Sequence, residues 1–406
     1  MKNKILTFIF TISMIFISLT IYANDAVKFF HSYKQGEKYK IITEVYENVY
    51  LNNRFSHKSN IRNKIAVFTE KVKNSSGRLQ CVFQTSEAFF SSKYSAPYVL
   101  KQKYYSAFSR DSYGKINILP KYYMPVIRNV PFFLKKKIRV GEMWTKMGIE
   151  VHDLRRGYRI KEALRFPIHV NYTLLSLKTY NGEKYGTLLI QYNVFHAINK
   201  VYRTGRPYPV KITGQSKKKM IWNITEGKMD SSYENFDFIF HLSNGATIEF
   251  KGYARSRLIK SIKMNKIALR EKLKKQFKKY GVEGSIAITD KGVKMILDSI
   301  KFSAYSSRLQ KTEINKLKRI GNILRSFNEN DILISGHTAR SGNERTSKIL
   351  SQKRAQSVAG FFIKNRILQR KNIVIKGFGS SRPVAPNNNE TNMKKNRRVE
   401  ITILEN

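Results

Sequence analysis

The hydrophobic pattern of residues 38–252 is that of short strands. Runs rich in β-branched and aromatic side chains are separated there by short polar breaks. Three of these breaks are Asn52-Asn53, Asn181-Gly182 and Asn244-Gly245, and asparagine followed by glycine is the strongest short signal for a β-hairpin. Many short strands joined by tight turns predict antiparallel sheet in a sandwich-like arrangement.

A shift in composition near residues 132–137 divides this β-rich region. We predict one β-rich domain over residues 24–133 and a second over residues 134–254. A transmembrane β-barrel is the alternative, and its strands would alternate cleanly between an apolar outer face and a polar inner face. The predicted strands instead carry charges at irregular positions, as in residues 40–50, which favours soluble β domains.

The hydrophobic period changes after residue 254. From Arg255 to Tyr280 the apolar residues recur mostly three or four positions apart, with lysine and arginine between them. These residues are Ile262, Leu269, Leu273, Phe277 and Tyr280. The spacing predicts an amphipathic helix, and we assign residues 255–283 as a basic helical connector. Packing of its apolar stripe on a domain is favoured over binding to an anionic membrane surface.

Helical and strand patterns alternate in the remaining residues, 284–406. Two strands come first, then a helix over 311–327, a buried strand over 331–336 and a second helix over 344–365. Ile349, Val358 and Phe362 are expected to face the core from that second helix. Two further strands end the chain. The order predicts a two-layer α/β domain, so the chain as a whole is predicted to be multidomain.

The charge balance is strongly basic, with 76 lysine and arginine residues against 28 aspartate and glutamate residues, a net charge of +48. Such a surface attracts polyanions, which include an anionic membrane face, cell-wall polymers and nucleic acid. A coding bias for lysine and asparagine, spread over every surface, explains the same composition equally well.

The N-terminus has the order of a secretory signal. Lys2 and Lys4 precede an uncharged, mostly apolar run from Ile5 to Tyr22, and the small residue Ala23 follows. We predict a signal peptide over residues 1–23. An uncleaved anchor is the alternative, because the run is near the lower length limit of a membrane span. Export makes the cell envelope the expected location and argues against nucleic acid as a partner.

Five short motifs follow one another in the C-terminal part. They are Phe302-x3-Ser306-x2-Leu309, Gly336-His337-Thr338, Leu350-Ser351-x2-Arg354-Ala355-x2-Val358, Gly377-x-Gly379 with Pro383 and Asn387, and Asn396-Arg397-Arg398-Val399-Glu400. In this order and spacing they resemble the OmpA-like peptidoglycan-binding family over residues 284–404. The resemblance implies an OmpA-like domain that binds the peptidoglycan stem peptide, usually at its diaminopimelate residue.

The resemblance also implies a ligand site. In the family an arginine, matching Arg354, holds the carboxylate of that residue bidentately, and an aspartate, matching Ala339, pairs with its ammonium. The other candidate peptidoglycan-binding residues are His337, Thr338, Ser347 and Leu350.

The site departs from the family pattern at three positions. Ala339 cannot receive an ammonium, Ser347 stands where an asparagine is common, and Ser303 stands where an aspartate is frequent. The lost charge-assisted hydrogen bond predicts binding weaker by about 1.5–3 kcal/mol. A different diamino acid, or another carboxylate, is then a possible ligand. The alternative role for Arg354 is a structural salt bridge with Glu344 or Glu400.

These patterns predict a non-catalytic periplasmic protein that tethers peptidoglycan to the outer membrane or to an envelope complex. The alternatives are an interaction scaffold without wall binding and an envelope hydrolase with its active site in the β-rich half. The histidines and the single cysteine, Cys81, lack metal-ligand spacing, so we expect no metal and no cofactor. Cys81 lies in an alternating run and is expected to be a buried structural thiol.

Overall fold

The computed structural model describes residues 26–91, 94–95, 97–260, 264–297, 300, 302, 306–327, 330–340 and 342–405. The predicted signal peptide, residues 1–23, and Ser303 lie outside the described residues. None of the described helices is long and apolar enough to cross a membrane.

The N-terminal part is β-rich, as the alternation predicts. Its elements are β1 Lys38–Leu51, β2 Arg54–Lys73, β3 Ser76–Ser91, β4 Tyr94–Ser95, β5 Tyr98–Arg110, β6 Ile116–Ile118, β7 Ile127–Arg128, β8 Met143–Asp153, the short helix α1 Arg155–Tyr158, β9 Ala163–Tyr180, β10 Glu183–Ala197, β11 Pro209–Asn223, β12 Lys228–Leu242 and β13 Thr247–Lys260.

The predicted hairpins are confirmed. Asn52 and Asn53 join β1 to β2 with φ angles of 49° and 62°, and Asn181 and Gly182 join β9 to β10 with φ angles of 49° and 78°. Asparagine and glycine tolerate this left-handed backbone, which matches the twist of the flanking strands. Gly245, at a φ angle of 81°, lies in the turn between β12 and β13.

One hydrogen-bonded order joins all the long strands of this part. It runs β5-β3-β2-β1-β13-β12-β11-β10-β9-β8, and every pairing in it is antiparallel. The pairing of β1 with β13, the first and the last strand of this part, joins the two halves of this order at its middle. The sandwich-like arrangement stays a prediction.

The cores do not follow the predicted division at residue 133. Phe133 is 1% exposed and lies against Trp222, with ring centroids 4.8 Å apart. Phe29, from the segment before β1, stacks on Phe133 at 5.4 Å and belongs to the same cluster. A second, smaller cluster contains Cys81, which is buried as predicted. As a statement about independent domains, the division stays a prediction.

The basic connector is shorter than the sequence pattern indicates. β13 continues to Lys260, and Leu258 packs against the cluster that contains Cys81. The helix, α2, covers only Lys266–Tyr280. The prediction of one helix from Arg255 is therefore wrong for its first residues, because pairing with β1 holds them in the sheet. Leu273 and Phe277 form the buried stripe of α2.

The C-terminal part has the predicted order of strands and helices. Its elements are α2, β14 Gly284–Thr289, β15 Gly292–Leu297, α3 Glu313–Leu324, β16 Ile332–Gly336, α4 Glu344–Lys364, β17 Ile373–Gly377, α5 Glu390–Asn396 and β18 Val399–Leu404, with 3-10 turns at Arg325–Phe327 and Arg370–Asn372. The strand order is β14-β15-β18-β16-β17, in which only β16 and β17 are parallel.

One hydrophobic cluster joins α2, α3 and α4 to β15, β16, β17 and β18. Val358 and Phe362 of α4 are fully buried in it, as predicted. Ile349 is 50% exposed, so the prediction that it faces the core is wrong.

The sheet of the C-terminal part adds to the edge of the N-terminal sheet. β17 pairs in parallel with the start of β5, through Val374 with Tyr98 and Ile375 with Val99. Ala88, Tyr98, Leu333 and Val374 form a small buried cluster beside this ladder.

A buried ion pair reinforces this contact between the two parts. The Arg62 guanidinium lies 2.9 Å from the Asp331 carboxylate, and the residues are 5% and 3% exposed. The Lys64 ammonium contacts the same carboxylate, and Arg62 also donates to the carbonyl oxygen of Lys371 at 2.6 Å. The N-terminal strand β2 thus contacts the residues that come just before β16 and just before β17.

Candidate functional site

Two glycines let the helix α4 cross close to the ends of β16 and β17. Gly336 and Gly377 are the last residues of these strands and pair with each other. A Cβ atom on Gly336 would collide with the carbonyl oxygen of Ser351, and one on Gly377 would lie 2.5 Å from backbone atoms of Lys348 and Gln352. Since those neighbours are backbone of α4, only glycine allows this approach.

Ser351 ties the loop after β17 to the same helix. Its hydroxyl accepts a hydrogen bond from the Gly379 N–H at 2.9 Å and donates to the Lys348 carbonyl at 2.9 Å. Gly379 has a φ angle of 56°, and a Cβ atom there would collide with the Glu344 carboxylate. The serine and the glycine of two separate motifs therefore work as one structural connection.

The turn after β16 is held by its backbone. The His337 N–H donates to the Arg398 carbonyl at 3.0 Å, and the Thr338 N–H donates to the Gly379 carbonyl at 2.9 Å. The His337 ring is 2% exposed and stacks on Phe378 with centroids 5.2 Å apart. These contacts give His337 a structural part in the turn. Through Gly379 and Ser351, the turn is connected to the face of α4 that carries the other candidate residues.

Asn396 organises the neighbouring loop. Its side-chain oxygen accepts from the N–H groups of Val384 and Ala385, and its side-chain amide donates to the Ala385 carbonyl and to the Asn387 side chain. The Asn387 oxygen also accepts from the Arg340 N–H at 2.9 Å. The late motif asparagines thus fix the position of the turn, which the sequence motif marked without indicating this role.

Arg354 is buried against Phe302 and Ser306, two residues of the first motif. It is 8% exposed, and its Nε donates to the Ser306 carbonyl at 3.1 Å. The guanidinium carbon lies 5.0 Å from the centroid of the Phe302 ring. Burial, followed by the like charge of Arg397, lowers the pKa of Arg354. Phe302 and Ser306 are positioning residues that the motif contained and that the predicted site left out.

The two predicted salt-bridge partners of Arg354 are engaged elsewhere. Glu344 accepts hydrogen bonds from Ser380, and Glu400 pairs with Arg398 at 2.8 Å. Within the described ranges, no carboxylate lies within ion-pair distance of Arg354. The structural alternative for this arginine is therefore not seen there.

The remaining candidate residues are mostly buried. Ala339 is 4% exposed, Thr338 is 8% exposed and Ser347 is 7% exposed, while Leu350 is partly exposed. The hydroxyl of Thr338 is buried and has no hydrogen-bond partner in the part of the chain that the structure describes. Such an unsatisfied buried group costs stability.

Comparisons with known proteins agree with these motifs. The model of the OmpA family matches residues 301–397. Motility protein B of Bacillus subtilis is 35% identical over 113 residues, which are 27% of this chain and 43% of that protein. Outer-membrane lipoprotein YfiB of Pseudomonas aeruginosa is 31% identical over 122 residues, 30% of this chain and 72% of that protein. Peptidoglycan-associated lipoprotein of Buchnera aphidicola is 30% identical over 104 residues, 26% of this chain and 60% of that protein.

The chain spans less than half of the first of these relatives and more than two thirds of the second. The family match includes the turn after β16, the whole of α4 and Asn396, which are the parts that build the candidate site. Through its C-terminal part, the protein belongs to the OmpA family.

Proposed function

We propose that this protein is a non-catalytic anchor of the cell envelope, whose C-terminal part binds a carboxylate of the peptidoglycan stem peptide at Arg354. One observation carries the proposal: a buried guanidinium has no carboxylate partner among the described residues. Buried charges in proteins are nearly always paired, so a buried arginine without a carboxylate partner is a candidate for binding an external anion. The guanidinium fork matches a carboxylate geometrically.

The names of two relatives support the location. One is an outer-membrane lipoprotein and the other a peptidoglycan-associated lipoprotein. A periplasmic protein at the outer membrane or the wall fits both names. The β-rich part, which holds the C-terminal part by a strand ladder and an ion pair, is then the element that contacts the outer membrane or an envelope complex.

Sedimentation with purified peptidoglycan tests the proposal. Wild-type protein is expected to sediment, and Arg354→Ala is expected to bind about ten-fold or more weakly, on the scale of a charge-assisted hydrogen bond. Arg345→Ala is the matched control, because it removes one exposed positive charge from the same helix. Added salt should weaken the binding of all three proteins to peptidoglycan, since the net charge of +48 contributes nonspecific electrostatic attraction. Equal binding by the two variants would contradict a site at Arg354.

A second function follows if wild-type protein does not sediment at all. Ala339, buried where the family has an acidic residue, favours an interaction scaffold without wall binding. Absence of sedimentation at low salt would support that function and would remove the proposed one.

A further inference from the structure

We propose that a cleft between the β-rich part and the C-terminal part binds an anionic amphiphile, a molecule with an acyl chain and an acidic head group. The cleft has a volume of about 1470 Å³, which exceeds that of most small-molecule sites, about 300–1,000 Å³. None of the described residues that line it is a candidate residue for peptidoglycan binding. The inference thus concerns a second site and does not rest on Arg354.

The floor of the cleft is one face of the N-terminal sheet. Two adjacent rows of paired residues cross it from β1 to β5, which are Lys40, Ala66, Val82 and Tyr105 in one row and Lys38, Phe68, Gln80 and Ala107 in the other. The residues between the rows, among them Val67 and Cys81, point to the buried cluster on the opposite face. Since neighbouring strands lie about 4.8 Å apart, the floor is about 14 Å wide. Its middle, on β2 and β3, is mostly apolar, so a hydrocarbon chain can lie on it.

Exposed apolar side chains lie on the other wall of the cleft. This wall is formed by the start of α2 and by the hairpin of β14 and β15, where Ile267 is 65% exposed and Ile288 is 40% exposed. Tyr105, at the edge of the floor, is 64% exposed. Exposed apolar residues are usually scattered singly, and a group of them around one concave site marks a binding surface. An acyl chain between the two walls would remove these side chains from water.

Hydrogen bonds hold the two walls in place. The Lys40 ammonium, on the floor, donates to the Glu405 carbonyl oxygen at 2.8 Å. The Lys266 ammonium, at the start of α2, pairs with the Glu405 carboxylate at 2.9 Å and donates to the Asp290 carbonyl oxygen at 2.9 Å. These contacts neutralise Glu405, one of the two acidic residues among the described lining residues. The cleft is therefore built from both parts of the chain, and its remaining charges are mainly positive.

A group of lysines without acidic partners lies beside the cleft. Burial lowers the pKa of Lys376, and so do nearby positive charges that include Lys291 and Lys103. No carboxylate of a described residue lies within ion-pair distance of Lys103, Lys291 or Lys376. The three ammonium groups repel one another, and an anion placed among them would relieve this repulsion.

The lysines adjoin the apolar floor. Lys291 lines the cleft itself, and the Lys103 ammonium lies 4.7 Å from the ring centroid of Tyr105. The helix α2 begins in the same cleft with no acidic residue in its first turn, so its N-terminus adds partial positive charge. A free phosphate would use only these charges, and an uncharged lipid would use only the apolar walls. A molecule with an acyl chain and an acidic head group uses both.

Titration calorimetry on the full-length chain tests the inference with three probes. Lysophosphatidylglycerol, used below its micelle concentration, has one acyl chain and an anionic head group. Lysophosphatidylcholine has the chain with a head group of no net charge, and glycerophosphoglycerol is the anionic head group alone. The wild type is expected to bind lysophosphatidylglycerol about ten-fold or more tightly than either of the others. Equal binding of lysophosphatidylcholine or of glycerophosphoglycerol would overturn the inference, and so would the absence of any binding.

Removal of two lysines separates the local charge from the net charge of the chain. Lys103→Gln combined with Lys291→Gln should weaken the binding of lysophosphatidylglycerol about ten-fold or more. Lys217→Gln combined with Lys219→Gln is the matched control, because it removes two exposed lysines from β11. Equal affinities of the two double variants would show that only the net charge of +48 attracts the lipid, and the inference would be wrong.

A single apolar substitution tests the wall opposite the floor. Ile288→Ser should weaken the binding of lysophosphatidylglycerol about five-fold, because it removes apolar surface that the acyl chain covers. Ile221→Ser is the matched control, since Ile221 is 39% exposed and lies in a strand, β11, as Ile288 lies in β14. Both positions are exposed, and thermal unfolding checks that both variants fold. If Ile288→Ser binds the lipid as tightly as Ile221→Ser, the chain does not lie in this cleft and the inference fails.

Discussion

At the scale of single residues, Glu400 is a motif residue that serves the fold. Its carboxylate accepts from Arg398 Nε at 2.9 Å and lies 3.1 Å from the Lys294 ammonium. The His337 ring nitrogen lies 3.5 Å away, which is long for a hydrogen bond. Burial raises the pKa of Glu400, but the interactions with His337 and Arg398 outweigh it and lower this pKa to about 2.

Acid should therefore destabilise the protein partly through Glu400. The carboxylate binds protons more weakly in the folded than in the unfolded state, where its pKa is about 4.5. Its contribution to the free energy of unfolding is about 3 kcal/mol. This contribution is complete above pH 4.5 and is lost as the pH falls through about 2. Glu400→Gln should unfold at lower urea concentration at pH 7 and should lose less stability between pH 4.5 and pH 2. Glu283→Gln, at an exposed carboxylate, is the control. If Glu400→Gln loses as much stability between pH 4.5 and pH 2 as the wild type, the acid sensitivity does not come from Glu400.

Motif spacing located Arg354 and the turn that contains Ala339, because both positions are set along the chain. Their burial could not be read in the same way. The Ser306 carbonyl and the Phe302 ring reach Arg354 from a separate segment, and Ala339 is covered by neighbours that no local pattern names. The roles of Asn387 and Asn396 are likewise visible only when the loops are folded together.

At the scale of elements, the close crossing of α4 over the strand ends positions the site. Gly336 and Gly377 provide the space, and Ser351 closes it with a hydrogen bond to the loop after β17. Any side chain at Gly336 must push backbone against backbone, because no flexible side-chain end is available to move aside. The helix would then shift relative to the turn that carries Thr338 and Ala339.

Gly336→Ala should destabilise the protein by about 1–3 kcal/mol, the range for an overpacked interior. Gly360→Ala is the matched control. Gly360 is an exposed residue of α4, and nothing lies within 4 Å of a new Cβ atom there. That variant should be more stable by about 0.5–1 kcal/mol, because alanine favours helix. Urea unfolding measures both, and equal effects of the two substitutions would show that α4 does not press on the strand end.

Local patterns identified the predicted strands and helices of the C-terminal part but misplaced the start of α2. Leu258 lies four residues before Ile262, so the helical spacing extends backwards into β13. Pairing with β1 holds these residues in a strand instead, with Arg257 opposite Ile42. The local hydrophobic period contains no information about a partner strand more than 200 residues away. Periodicity alone also cannot distinguish a short apolar run in a strand from one in a helix.

At the scale of the whole molecule, the two parts share a small edge contact. Asp331, at the start of β16, is buried against Arg62 and Lys64 of β2. Removing one member of a buried ion pair costs about 3–5 kcal/mol, because the partner charge stays buried without compensation. The contact between the parts should therefore depend on Asp331.

Asp331→Asn should loosen the two parts from each other. We expect faster tryptic cleavage within residues 260–266, the segment between β13 and α2, with fragments identified by mass spectrometry. Asp290→Asn removes an exposed carboxylate from the turn between β14 and β15 and should leave the cleavage rate unchanged. The same rate in both variants and the wild type would show that Asp331 does not hold the parts together.

The parallel ladder between β5 and β17 also has a mechanical consequence. If the protein anchors the wall as proposed, tension between its two parts would act on this ladder, on the small cluster beside it and on the contacts of Arg62 and Lys64. These would open before either hydrophobic core is loaded. From Lys260 to Lys266 the backbone has six residue steps, which extend to at most about 20 Å. The molecule would then lengthen under load by less than that distance, because the segment already spans part of it, and it would close again when the load falls. The edge contact would thus act as a short elastic element between the wall and whatever the β-rich part holds.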